Sequence, residues 1–160
     1  MYLKQLNKQV TDTPDRQRGV GLLEVLIALL VLSIGLLGLA SLQTQALRFN
    51  QGAFLRTQAT TLAYDMLDRM RANREQATST TSYITNLGTG IPAGASCESV
   101  DCSPADMAKY DLNQWKTALN ERLPAGDGAV SVNGNGFTIT TQWKSREDGA
   151  AVSLSITSEI

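Results

Sequence analysis

The chain has 160 residues, 42% apolar and 18% charged, with a formal net charge of -1. That length suits one domain with a modest core plus an appended segment, and the balanced charge gives no bulk attraction to nucleic acid or anionic lipid. Histidine is absent altogether, which removes the commonest general base and the commonest metal ligand together.

The dominant feature is RQRGVGLLEVLIALLVLSIGLLGLASL, residues 16 to 42. From Val25 to Leu42 there are eighteen residues without a charge, and only Ser33 and Ser41 are polar. At about 1.5 Å per residue, Val20 to Leu42 is long enough to cross a hydrocarbon core of roughly 30 Å. A helix buried in a soluble core is the competing reading, but a chain this small has little protein to surround it. Lys4, Lys8, Arg16 and Arg18 precede the span, so the N-terminus is expected to stay in the cytoplasm. A secretory signal would need a cleavage site near Ala40, and it has no use for Glu24. A carboxylate set one turn into such a span costs a few kcal/mol at mid-bilayer, softened here by nearness to the interface, and calls for a partner.

Gly19-Val20-Gly21-Leu22-Leu23-Glu24, behind a short basic leader and before about twenty apolar residues, resembles the class III signal of type IV pilins and pseudopilins. The resemblance implies that a membrane prepilin peptidase cuts between Gly19 and Val20 on the cytoplasmic side. The same enzyme then methylates the Val20 amine. Most family members carry Phe where this chain has Val20. Cleavage would place an ammonium four residues before Glu24, and in a staggered bundle the ammonium of one subunit meets the carboxylate of its neighbour. Inside a low-dielectric bundle such a pair sets register more than it adds stability. Gly35, Gly38 and Ser41 recur three apart and let helices approach closely, although glycine is also simply tolerated in transmembrane helices.

Nothing ends the helix at Leu42. Leu47, Phe54, Leu55, Ala59, Leu62, Met66 and Met70 fall near one stripe, so a single helix is expected from about Val20 to about Arg74. Asp65 with Arg69, and Asp68 with Arg71, are spaced to pair along its surface. Arg69, Arg71 and Arg74 could suggest nucleic acid, but cations are favoured at a helix C-terminus and acids are interleaved. No nucleic-acid partner is therefore expected.

Residues 75 to 100 read as a loop, with one short strand around Ser82 to Thr85. In an oxidising periplasm Cys97 and Cys102 are expected to pair as a disulfide. Two thiolates without histidine leave too few ligands for zinc, and the spacing is not that of a CxxC redox pair. Ser103-Pro104-Ala105-Asp106 opens a second helix with an N-cap, a proline at the first helical position and an acid closing a capping box. Met107, Leu112, Trp115 and Leu119 give its buried stripe, which ends before Pro124. Val130 and Val132 alternate before the hairpin signal Asn133-Gly134-Asn135-Gly136. Phe137, Ile139, Thr141 and Trp143 then share one face, and Val152, Leu154 and Ile156 another alternating run. A three-stranded antiparallel meander covered by the long helix follows.

The expected fold is thus pilin-like α+β: a long N-terminal helix, transmembrane in its first half, packed by a small antiparallel sheet with one additional short helix. The expected segments are a cleaved leader (1–19), a transmembrane or bundle helix (20–42), its amphipathic continuation (43–74) and a periplasmic head (75–160). The runs LAYDMLDRMRANR, YDLNQW and LPAGDG resemble the PilV minor pilins, the type IV pilus modification proteins. That resemblance implies a minor subunit that joins other minor pilins and the major pilin, passing from the inner membrane to a tip or priming complex of the pilus fibre. Pilus assembly, adhesion and twitching motility would be its roles. A minor pseudopilin of type II secretion and a DNA-uptake pilin are the alternatives. No nucleophile with a base, phosphate loop or metal set is legible, and Glu98, Asp101 and Asp106 read as loop and cap residues. Neither an enzyme nor a cofactor is expected.

Overall fold

The structure, a computed structural model, describes residues 21–98, 101–134 and 136–160. Three helices are followed by three strands: α1 Leu22–Ala72, α2 Arg74–Ser79, α3 Pro104–Arg122, β1 Asp127–Asn133, β2 Gly136–Lys144 and β3 Ala151–Ser158. The chain divides into two compact units, Met1–Gln43 and Thr44–Ile160. In the first, the described residues are the opening of α1. The second carries the core.

The second unit has the expected architecture, helix against a small antiparallel sheet, with α3 as the additional helix. The sheet order is β1-β2-β3. Val130 pairs with Ile139 and Ile139 with Ile156, so one apolar ladder crosses all three strands. Leu55, Ala59, Leu62, Ala63, Met66, Leu67 and Met70 of α1 join Trp115, Leu119, Val130, Ile139 and Trp143 in a single core. Trp115 is fully buried, and its indole Nε1 donates to the Leu62 carbonyl at 2.8 Å, tying α3 to α1. A buried indole needs such a partner.

Four local expectations are corrected. The α1 helix stops at Ala72, and Asn73 leaves helical geometry at φ -117°, ψ 46°. Its amide Nδ2 donates to Pro104 O at 2.7 Å and to Tyr83 Oη at 3.0 Å, contacts that come from distant sequence. The segment after it, read as loop, forms α2, whose Ala77 is buried; Arg, Glu, Gln and Ala are good helix formers. The strand expected at Ser82–Thr85 shrinks to one bridge, Thr85 with Val130. Leu47 and Phe54, placed near the same apolar stripe as Leu55, are 64% and 61% exposed; burial begins at Leu55, because spacing marks a face without telling how far its cover extends.

Val132 alternates as expected with Val130 yet is exposed at the end of β1. Gly134 takes φ +58° in the following turn, a conformation that glycine adopts freely; Asn135 lies outside the described residues. At α3, Ser103 Oγ accepts from Asp106 N at 3.2 Å. The Asp106 carboxylate accepts from the Ser103 hydroxyl at 2.8 Å and from Lys109 Nζ at 3.0 Å.

Candidate functional site

Two regions carry chemistry: the apolar opening of α1 and a set of buried charges in the second unit. In the first, Leu22 to Leu42 lie exposed; the large apolar side chains among them are 47–82% exposed. The most apolar eighteen-residue window of α1 has a mean hydropathy of 2.7, and none of it is buried. Apolar surface of this extent calls for a membrane or another chain to cover it. The helix is long and apolar enough to cross a membrane.

Glu24 stands in the first turn of this helix, where its backbone N–H donates to Gly21 O at 2.9 Å. A carboxylate is favoured there by the helix dipole. Ser33 Oγ donates to Leu29 O at 2.7 Å, so this hydroxyl is satisfied within the helix and suits an apolar surrounding. At Gly35 and Gly38 an added Cβ would meet no atom within 4 Å, so nothing inside the chain requires glycine at either position. Ser41 is exposed on the same helix. Gly19 and Val20, the expected cleavage and methylation positions, lie outside the described residues.

Residues 14–40 match the prokaryotic N-terminal methylation motif, and residues 41–113 match the type IV pilin Tt1218 family. Less than half of the chain is thus similar to a type IV pilin. The methylation motif ends two residues before the apolar run does. The pilin match covers the rest of α1, α2, the cysteine loop and the first half of α3, and stops before the sheet. No curated protein and no solved structure matches the chain.

The second unit is held together by charged groups, among them the buried Asp111. Asp111, 5% exposed on α3, accepts from Tyr83 Oη at 2.6 Å and from Arg69 Nη1 at 3.2 Å. Arg69 also meets Asp65 at 3.0 Å, the pair expected from spacing, and Arg71 meets Asp68 at 2.8 Å. Burial pushes the Tyr83 phenol up, and its bond to Asp111 adds to that, although Asn73 opposes it. Burial works to lower Arg69, but hydrogen bonds and charge from Asp65 and Asp111 outweigh it and raise the group. Arg69 and Arg71 are therefore engaged within the chain.

The second cluster centres on Lys116, which is 1% exposed. Its ammonium reaches Thr89 Oγ1 at 2.8 Å, Asn86 O at 2.9 Å and Asp127 Oδ1 at 3.1 Å, so all three donors are used. Asp127 also accepts from Gly88 N and Gly128 N, at 2.6 and 2.7 Å. This arrangement ties the 86–89 loop to α3 and to the start of β1. No local signal marked Lys116 for burial, because neighbouring helix positions point about 100° apart and its partners come from other segments of the chain.

Cys97 and Cys102 form a disulfide with Cα atoms 5.5 Å apart, closing a loop that Tyr110 Oη touches at Glu98 Oε1, 3.2 Å away. Among the described residues, no group of three or more His, Cys, Asp or Glu side chains is placed to hold a metal ion. The carboxylates found here are occupied by arginine, lysine, tyrosine and backbone donors, which is the chemistry of a scaffold.

Proposed function

We propose that this chain is the precursor of a minor pilin of the PilV type. A prepilin peptidase/methyltransferase removes residues 1–19 and methylates Val20. The mature chain sits in the inner membrane with a periplasmic head and then joins other minor pilins and the major pilin in a priming or tip complex of the fibre. There it supports pilus assembly, adhesion and twitching motility. The observation that carries this reading is the methylation motif over residues 14–40, followed by an uncovered apolar helix with the single acid Glu24.

In the assembled state the Val20 ammonium of one subunit neutralises Glu24 of its neighbour, and Gly35, Gly38 and Ser41 let adjacent helices close up. Segments 20–42 and 43–74 then serve as bundle helix and amphipathic support for the head. Membrane extraction followed by intact-mass measurement and N-terminal sequencing tests this. The expected result is a chain beginning at Val20 with one added methyl group. In Glu24→Ala, cleavage is expected to persist while recovery in sheared pili drops at least about tenfold, the size of effect when a buried charge loses its partner. An intact Met1 terminus, or a cut near Ala40, would overturn the reading.

A further inference from the structure

The region where α1 emerges from its apolar half carries a groove of about 650 Å³ that the pilin reading does not use. Arg48, Gly52 and Arg56 line it from the helix, Trp143 and Val152 from the sheet, and Arg146 and Glu147 from the β2–β3 turn. All three arginines are exposed, and none makes an ion pair among the described residues. Three cations against one acid leave the groove at about +2, in a chain whose formal net charge is -1.

Gly52 is the telling residue. It sits mid-helix, where glycine costs roughly 1 kcal/mol relative to alanine. An added Cβ there would meet nothing within 4 Å, so no contact inside the chain explains the small residue. A notch without an internal purpose, flanked one turn on either side by unpaired arginines, has the shape of a close-approach point for something outside the chain. Arg48 and Arg56 are eight residues apart, about 12 Å along the helix. That spacing matches carboxylates seven or eight residues apart on a second helix, with an apolar side chain between them to fill the notch against Trp143.

We propose that this groove docks an acidic amphipathic helix of a partner subunit, its carboxylates on Arg48 and Arg56 and its apolar residue over Gly52. Helix-in-groove recognition supplies the apolar contact, and the arginines supply orientation and rate of encounter. A lipid phosphate is the other anion that arginines recognise, but a single headgroup does not span two cations 12 Å apart. The inference extends the subunit reading by naming the chemistry of one partner, and it rests on that reading only for the partner's identity as a pilus subunit.

The test uses the full chain in uncharged detergent micelles and a labelled helical peptide with Glu at two positions seven apart and Leu between them. Fluorescence anisotropy should report binding that weakens as salt is raised. A matched peptide with Gln in place of Glu should bind at least about tenfold more weakly, as should the Glu peptide to Arg48→Glu/Arg56→Glu. Gly52→Phe, whose Cβ meets no atom within 4 Å and whose ring occupies the notch, should abolish binding while leaving the thermal midpoint unchanged or raised. Failure of the Glu peptide to bind, equal binding of the Gln peptide, or indifference to Gly52→Phe each overturns the proposal. So does capture of phosphatidylglycerol vesicles in preference to the peptide, which would make the groove a lipid site. The outcome is independent of where the N-terminus is cut: peptide binding with an intact Met1 sinks the pilin reading alone, and a Val20 terminus without peptide binding sinks the docking site alone.

Discussion

Thr141 occupies the inward face of β2 between Ile139 and Trp143, fully buried, and its hydroxyl has no hydrogen-bond partner among the described residues. The pleat dictates that it point inward, but no acceptor stands opposite, since Leu154 is its partner on β3. A buried hydroxyl left unmade is unfavourable by about 1–3 kcal/mol. Thr141→Val should therefore raise the unfolding free energy of the detergent-solubilised chain by about 1 kcal/mol in chemical denaturation. A loss of stability would mean that the hydroxyl is satisfied after all. Lys116 and Asp127 are the opposite case, fully partnered. Burial works to raise Asp127, yet the N–H groups of Gly88 and Gly128 and the Lys116 ammonium hold it below the usual carboxylate range. A depressed carboxylate contributes stability that is present above its unfolded value, about 3.9, and is lost as pH falls through the folded one. Stability is thus expected to decline below about pH 4, and Asp127→Asn to lower the neutral plateau and flatten that acid limb. Lys116→Ala, which orphans Asn86 O and leaves Asp127 without its cation, should cost roughly 3 kcal/mol by the same denaturation series.

At the scale of elements, the α3–β1 corner shows how a turn sequence serves packing. Gly128 opens β1 against the ring of Trp115, and a Cβ added there would run into that ring and the Leu119 side chain. Gly126 lies as close to the Leu119 carbonyl, which no side chain can displace cheaply. These two glycines are the physical content of the LPAGDG run, residues 123 to 128. Gly128→Ala should lower the thermal midpoint, with a cost of about 1–3 kcal/mol from overpacking; an unchanged midpoint would show that Trp115 has room to move. The α1 helix behaves differently along its length. From Leu55 onward, its stripe is held by α3 and the sheet, so the face buried there was readable from periodicity although the point where burial begins was not. Its end at Asn73 was not, because the residues that anchor Asn73, Tyr83 and Pro104, are separated from it by turns whose path no local pattern encodes.

At the scale of the whole molecule, the apolar opening of α1 and the folded second unit ask for different surroundings. The first exposes large aliphatic side chains and one carboxylate; the second has a closed core flanked by the internal pairs Arg69–Asp111 and Lys116–Asp127. A chain so divided is consistent with a membrane-anchored protein. Under the proposed function the Glu24→Ala experiment belongs here, since it would separate cutting from incorporation, and on that proposal only the second involves a neighbour's charge. What the sequence determined by itself was whatever depends on short-range chemistry: the membrane-length helix, the lone acid, the strand alternation, the α3 cap, and the Asp65–Arg69 and Asp68–Arg71 pairs. Periodicity and i, i+4 spacing encode these directly. Only the tertiary structure decided the Asp111 and Lys116 clusters, the break at Asn73, the reduction of the Ser82–Thr85 strand to one bridge and the groove around Gly52. Each brings together residues many positions apart, and a contact between distant segments depends on how the whole chain packs, which local pattern does not carry.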